Sequence, residues 1–94
     1  MNEHMMMVID HQMNPGKYTK KQLRQNAISA ADAYNVDYAN NYYDADASCA
    51  AARAAANAAY DAAAYIANCW IVQYFKYSSE NKQDYVDEIN RRSK

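Results

Sequence analysis

At 94 residues, with a net charge of −1, one Gly and one Pro, the chain has room for one domain and lacks the turn residues of a β-fold. It also lacks the basic excess of a nucleic-acid binder. Its 51% hydrophobic content is largely 19 Ala and ten Tyr, with one Leu and one Phe. That excludes a core of ordinary large side chains, because a buried Ala contributes about 0.8 kcal/mol against about 1.5–3 for Leu or Phe. The expected fold class is all-α, by the helix propensity of Ala, Lys, Gln, Arg and Glu, with burial supplied by very close helix packing or by other subunits.

Residues 1–16 read as a flexible N-terminal tail ahead of a single helical domain over 17–94. The apolar run after Glu3 and His4 lacks a basic leader and a cleavage site, so no secretory signal is expected. No stretch of about twenty apolar residues could cross a membrane, so no membrane partner is expected. Met13 opens "MNPGKYTKK", a start in its own right. His4, His11, Met5, Met6, Met7 and Met13 are soft-metal ligand types, but they lack zinc-type spacing. No metal and no cofactor are expected.

The first helix should begin at Lys20. Thr19 followed by Gln22 is a capping-box pattern, and Tyr18 and Leu23 suit a hydrophobic staple around it. From there the apolar register holds its phase for a long way. At about 100° per residue, Leu23, Ala27, Ala31, Tyr34, Tyr38, Ala45, Cys49, Ala52, Ala56, Ala59, Ala63, Trp70, Tyr74 and Tyr77 share a sector about 100° wide. Arg53 and the Asp and Asn residues at 32, 46, 57, 61 and 68 fall outside it. An intervening loop would normally scramble such a register, so one long helix over 20–77 is expected, straight or kinked. Asn40 and Asn41 mark the alternative, a true break near residues 39–44. A continuous helix would be about 87 Å long, which no monomer of this size could cover. A helical oligomer is then expected. A break would instead let a hairpin bury the stripe within one chain.

A short last helix is expected over about 80–92, capped by Ser78, Ser79 or Asn81. Asp84 and Glu88 precede Arg91 and Arg92, an order that suits the helix dipole. Tyr85, Val86 and Ile89 should fold back onto Trp70, Tyr74 and Phe75.

The Ala stripe has a physical use: small side chains let helix backbones approach closely, and Ala loses no side-chain entropy. Ala52, Ala56, Ala59, Ala63, Trp70 and Tyr74 are therefore the expected self-association residues. Tyr brings large contact area with few rotatable bonds, so Tyr34, Tyr38, Tyr42, Tyr43, Asp44 and Asp46 are the expected partner-binding set. Cys49 and Cys69 lie about 200° apart around a continuous helix and read as small buried residues with free thiols, in keeping with a reducing cytoplasm. Asp32, Asp37, Asp44 and Asp46 read as a solvated face and not as catalytic carboxylates, since no His or Gly-rich loop accompanies them. No nucleophile triad or phosphate-binding loop is present, and an enzyme is not expected.

The stretches "SAADAYNVDYANNYYDADASCAAARAAANAAYDAAAYIANCW" and "YFKYSSENKQDYVDEINRR" give residues 27–92 a style that resembles small accessory proteins of tailed bacteriophages. The resemblance implies a non-enzymatic protein of phage or mobile-element origin, acting in the bacterial cytoplasm by stoichiometric binding to a host protein, such as a restriction, CRISPR or other defence complex. No residue-level role follows from it. The alternatives are a self-assembling helical protein without a foreign partner, and a nucleic-acid or nucleotide binder using Lys17, Lys20, Lys21 and Arg24. Nucleic acid is disfavoured by charge: residues 26–75 carry a net −4 against +2 over 1–25 and +1 over 76–94.

Overall fold

The start of the chain is a helix and not a tail. In a computed structural model, which describes residues 1–40, 45–60 and 64–93, α1 spans Glu3–Met13. The Asn2 side chain accepts the amide hydrogens of His4 and Met5 at 2.9 and 3.0 Å, a standard N-cap arrangement. Met5, Val8 and Ile9, at helical spacing, are at most 1% exposed. Residues read as an extension thus supply some of the largest side chains of the core, which is what an Ala-rich chain is short of.

Asp10, itself 5% exposed, ties the following turn to α1. It accepts from Asn14 Nδ2 at 2.8 Å, Lys17 Nζ at 2.7 Å and the Tyr18 hydroxyl at 2.5 Å. Gly16 turns the chain at φ 90°, a conformation that favours glycine.

Helix α2 spans Lys20–Ala39 and opens with the anticipated capping box: Gln22 N–H donates to Thr19 Oγ1, and Thr19 N–H donates to Gln22 Oε1. It closes at Asn40, whose side-chain amide donates to the Val36 carbonyl at 2.8 Å. Helix α3 spans Ala45–Tyr60 and α4 spans Ala64–Tyr77. The expected single helix over 20–77 is therefore three helices. Of the suspected break, residues 41–44 lie outside the described residues. Residues 61–63 also lie outside the described residues, and the packing of α3 against α4 as separate helices was not anticipated.

The three helices run antiparallel in a layer with α3 in the middle. Asp37 near the end of α2 accepts a hydrogen bond from Ser48 near the start of α3, while the Arg24 guanidinium lies over the Tyr60 ring at the other end. The Arg53 guanidinium likewise sits over Trp70 of α4. Helix α3 packs against α1, α2 and α4. Its Ala47, Ala50, Ala51, Ala54 and Ala55 are buried, so the stripe is covered by the chain's own helices. The buried face is rotated from the predicted one, for Ala31 and Tyr38 are exposed whereas Ala30, Ala50 and Ala54 are buried.

Helix α5 spans Lys82–Arg92, capped by Asn81, which accepts from Gln83 N–H at 2.7 Å. It folds back as expected: Tyr85 meets Tyr74 and Phe75 edge-on, with ring centroids 6.4 and 5.3 Å apart. Trp70 is not part of that cluster. Helix α5 also packs on α1, and Arg92 pairs with Glu3 at 3.1 Å. The described residues fill 37 × 26 × 22 Å, where an 87 Å rod had been expected. Among them no helix is long and apolar enough to cross a membrane.

Candidate functional site

The buried Ala residues of α3 force its other positions outward. Asp46, Arg53 and Tyr60 are exposed, and Cys49 and Asn57 are half-buried. Helices α2 and α4 flank this outer side and contribute Tyr34 and Trp70, both half-buried. The face so formed centres on Arg53. Its guanidinium carbon lies 4.9 Å from the Trp70 ring centroid, a cation–π distance. Its Nε–H donates to Cys49 Sγ at 3.4 Å. Burial, together with the neighbouring Cys49 sulfur, pushes the Tyr34 hydroxyl above its ordinary value. Tyr38, one turn further along α2, is 67% exposed, with its ring tilted 53° to that of Tyr34 and 6.0 Å away.

Among the described residues no carboxylate lies within ion-pair distance of Arg53. Trp70 lies against the guanidinium and Cys49 accepts its Nε–H. Arg, Trp and Tyr in this state are the residue types that dominate binding energy at protein interfaces. Chemically, the face can offer aromatic contact and a fork of donors.

Of the expected partner-binding residues, Tyr34 and Tyr38 belong to this face, and Asp46 lies exposed in the first turn of α3. Tyr42, Tyr43 and Asp44 lie outside the described residues. Of the expected self-association residues, Ala59 and Tyr74 are buried inside the chain, Ala52 and Ala56 are half-buried, and Trp70 is engaged by Arg53. Ala63 lies outside the described residues. The burial of Ala59 and Tyr74 serves the chain's own helix packing. Arg53 was missed because it falls outside the apolar sector. The available signal was its position as the one cation of residues 26–75, one turn after Cys49. Both cysteines are free, and Cys69 is exposed on α4 where a buried residue was expected.

A second concavity, of about 540 Å³, lies where the end of α2, the start of α3 and the end of α4 meet. Its acids are already hydrogen-bonded. Asp37 accepts from Ser48, and Glu80 accepts from the hydroxyls of Tyr74 and Tyr85. The Tyr85 oxygen in turn accepts the Asn2 amide hydrogen at 2.7 Å. Burial alone would raise Glu80, but the two tyrosine hydroxyls outweigh it and hold the carboxyl below the usual range. This is a clasp between the start of the chain and α5. Among the described residues no group of three or more His, Cys, Asp or Glu is placed to hold a metal ion.

No family model matches the chain. Neither a curated protein nor a solved structure shows significant similarity to it.

Proposed function

We propose that the chain is a non-enzymatic interaction protein that binds a host protein stoichiometrically in the bacterial cytoplasm, in the manner of the phage accessory proteins its sequence resembles. The observation that carries this reading is the outer face of the layer, where Tyr34, Tyr38, Arg53 and Trp70 converge and the arginine has no anionic partner among the described residues. Holding Arg53 over Trp70 gives the chain itself only about 0.5–1 kcal/mol at an exposed site. A docking partner that fills the space around them gains further, because anchors held in place lose little entropy on binding. Inhibition of a defence complex is the form of that function implied by the resemblance alone.

The test is capture from nuclease-treated bacterial lysate with the tagged chain, followed by mass spectrometry. One host protein should come back at a fixed ratio to the bait. The double substitution Tyr38→Ala plus Arg53→Ala, both at exposed positions, should abolish the capture while the circular dichroism spectrum stays unchanged. Undiminished capture by the folded double variant would falsify the site, and recovery of the bait alone would count against the reading for that host.

A further inference from the structure

We infer a separate ligand site at the far end of the helical layer, built to take a small phosphorylated ligand carrying an aromatic ring, a mononucleotide in chemical class. Where α1 ends, α2 begins and α3 ends, an open depression of about 350 Å³ lies on the surface. Small-molecule sites span roughly 300–1,000 Å³, so this depression suits a single nucleotide and not a strand. Leu23, Tyr18, Tyr60, His11, Lys20 and Arg24 are among the residues that line it.

Three observations set the ligand's chemistry. First, Lys20 and Arg24 have no carboxylate within ion-pair distance among the described residues, whereas nearby Lys17 is spent on Asp10 at 2.7 Å. Second, no acidic residue lines the depression among the described residues, in a chain whose net charge is negative. Third, the Arg24 guanidinium lies 5.9 Å from the ring centroid of Tyr60, both residues line the depression, and Tyr60 stays 57% exposed. Two free cations with forked and pointed geometries fit a phosphate, the positive end of α2 adds to them, and tyrosine faces fit a planar base. The site does not involve Tyr38 or Arg53, so it stands or falls apart from the docking face.

The test is calorimetric titration of the full chain with AMP at low salt, with inorganic phosphate and adenosine as separate ligands. AMP should bind saturably, with a Kd on the order of 0.1 mM, and more tightly than either fragment. Lys20→Ala and Arg24→Ala, both exposed positions, should each weaken AMP about tenfold with no change in the dichroism spectrum. Tyr60→Leu should weaken AMP while leaving phosphate unaffected. No AMP binding, or binding that survives both cation substitutions, overturns the inference. So does AMP that binds no better than phosphate, which would mean an adventitious ion only.

Discussion

Tyr85 shows how a single hydroxyl can organise this chain. It is fully buried, donates to Glu80 at 2.5 Å and accepts the Asn2 amide at 2.7 Å. Tyr85→Phe keeps the ring contacts, leaves the Asn2 amide without its acceptor and leaves Glu80 with the Tyr74 hydroxyl alone, so it should cost about 1–3 kcal/mol in urea unfolding. A loss below a few tenths would show that water replaces the hydroxyl. Asp10 plays a comparable part in the turn. Burial pushes it up, but the bonds from Lys17, Tyr18 and Asn14 more than compensate and hold it below its ordinary 3.8. With Glu80 also held below 4.5, the linkage sign is clear. Both contributions are complete above these ordinary values and drain away as pH falls through the lowered native ones. Tyr18 and Tyr85 act in the opposite direction. Burial, and then their carboxylate partners, push each up to about 12 from 10.0, so their contribution is complete below pH 10 and is lost as pH rises through the native value. Urea midpoints should therefore be level near neutrality and fall at both extremes, and Asp10→Asn should flatten the acid limb. An acid limb that Asp10→Asn leaves unaltered would remove Asp10 from this account.

At the scale of helices, the capping box at Thr19 and the dipole-matched last helix were legible because their signals are local and use distinctive residues. The end of α2 at Ala39 was legible only as the alternative marked by Asn40 and Asn41, and the separation of α3 from α4 was not legible. With Ala at most positions of α3, nearly every face of the helix is small and apolar, so the register keeps its phase whether or not the chain turns. Neither Gly nor Pro marks the end at Tyr60. Helix α1 was legible in principle, through Asn2 as a cap, Glu3 in the first turn and the Met5, Val8, Ile9 spacing, but its Met run resembled an incidental start. Two substitutions check the observed burial. Ala54 is fully buried, so Ala54→Leu should cost about 1–3 kcal/mol by overpacking, whereas Ala31→Leu, at an exposed position, should stay within about 0.5 kcal/mol. Ile9→Ala should cost about 2–5 kcal/mol, a loss that a dispensable tail could not produce. Equal effects of the two Leu substitutions on thermal melting would overturn the burial assigned to Ala54 on α3 and the exposure assigned to Ala31 on α2.

For the molecule as a whole, the radius of gyration of 12.4 Å agrees with about 12.4 Å for a compact chain of this length. A chain that closes on itself in this way should sediment as a single species of 10.7 kDa at micromolar concentration; a stable dimer there would restore the case for self-association. The candidate docking face joins residues of α2, α3 and α4 and depends on all three helices holding their places. The pairing of α1 with α5, through Asn2–Tyr85 and Glu3–Arg92, has a consequence in time. A ribosome releases Met5, Val8 and Ile9 first and Tyr85 last, at about 5–20 residues per second. For the several seconds between, the emerging chain carries an oily helix whose seat is not yet finished. Its window of risk, for chaperone capture or aggregation, is set by the speed of its own synthesis.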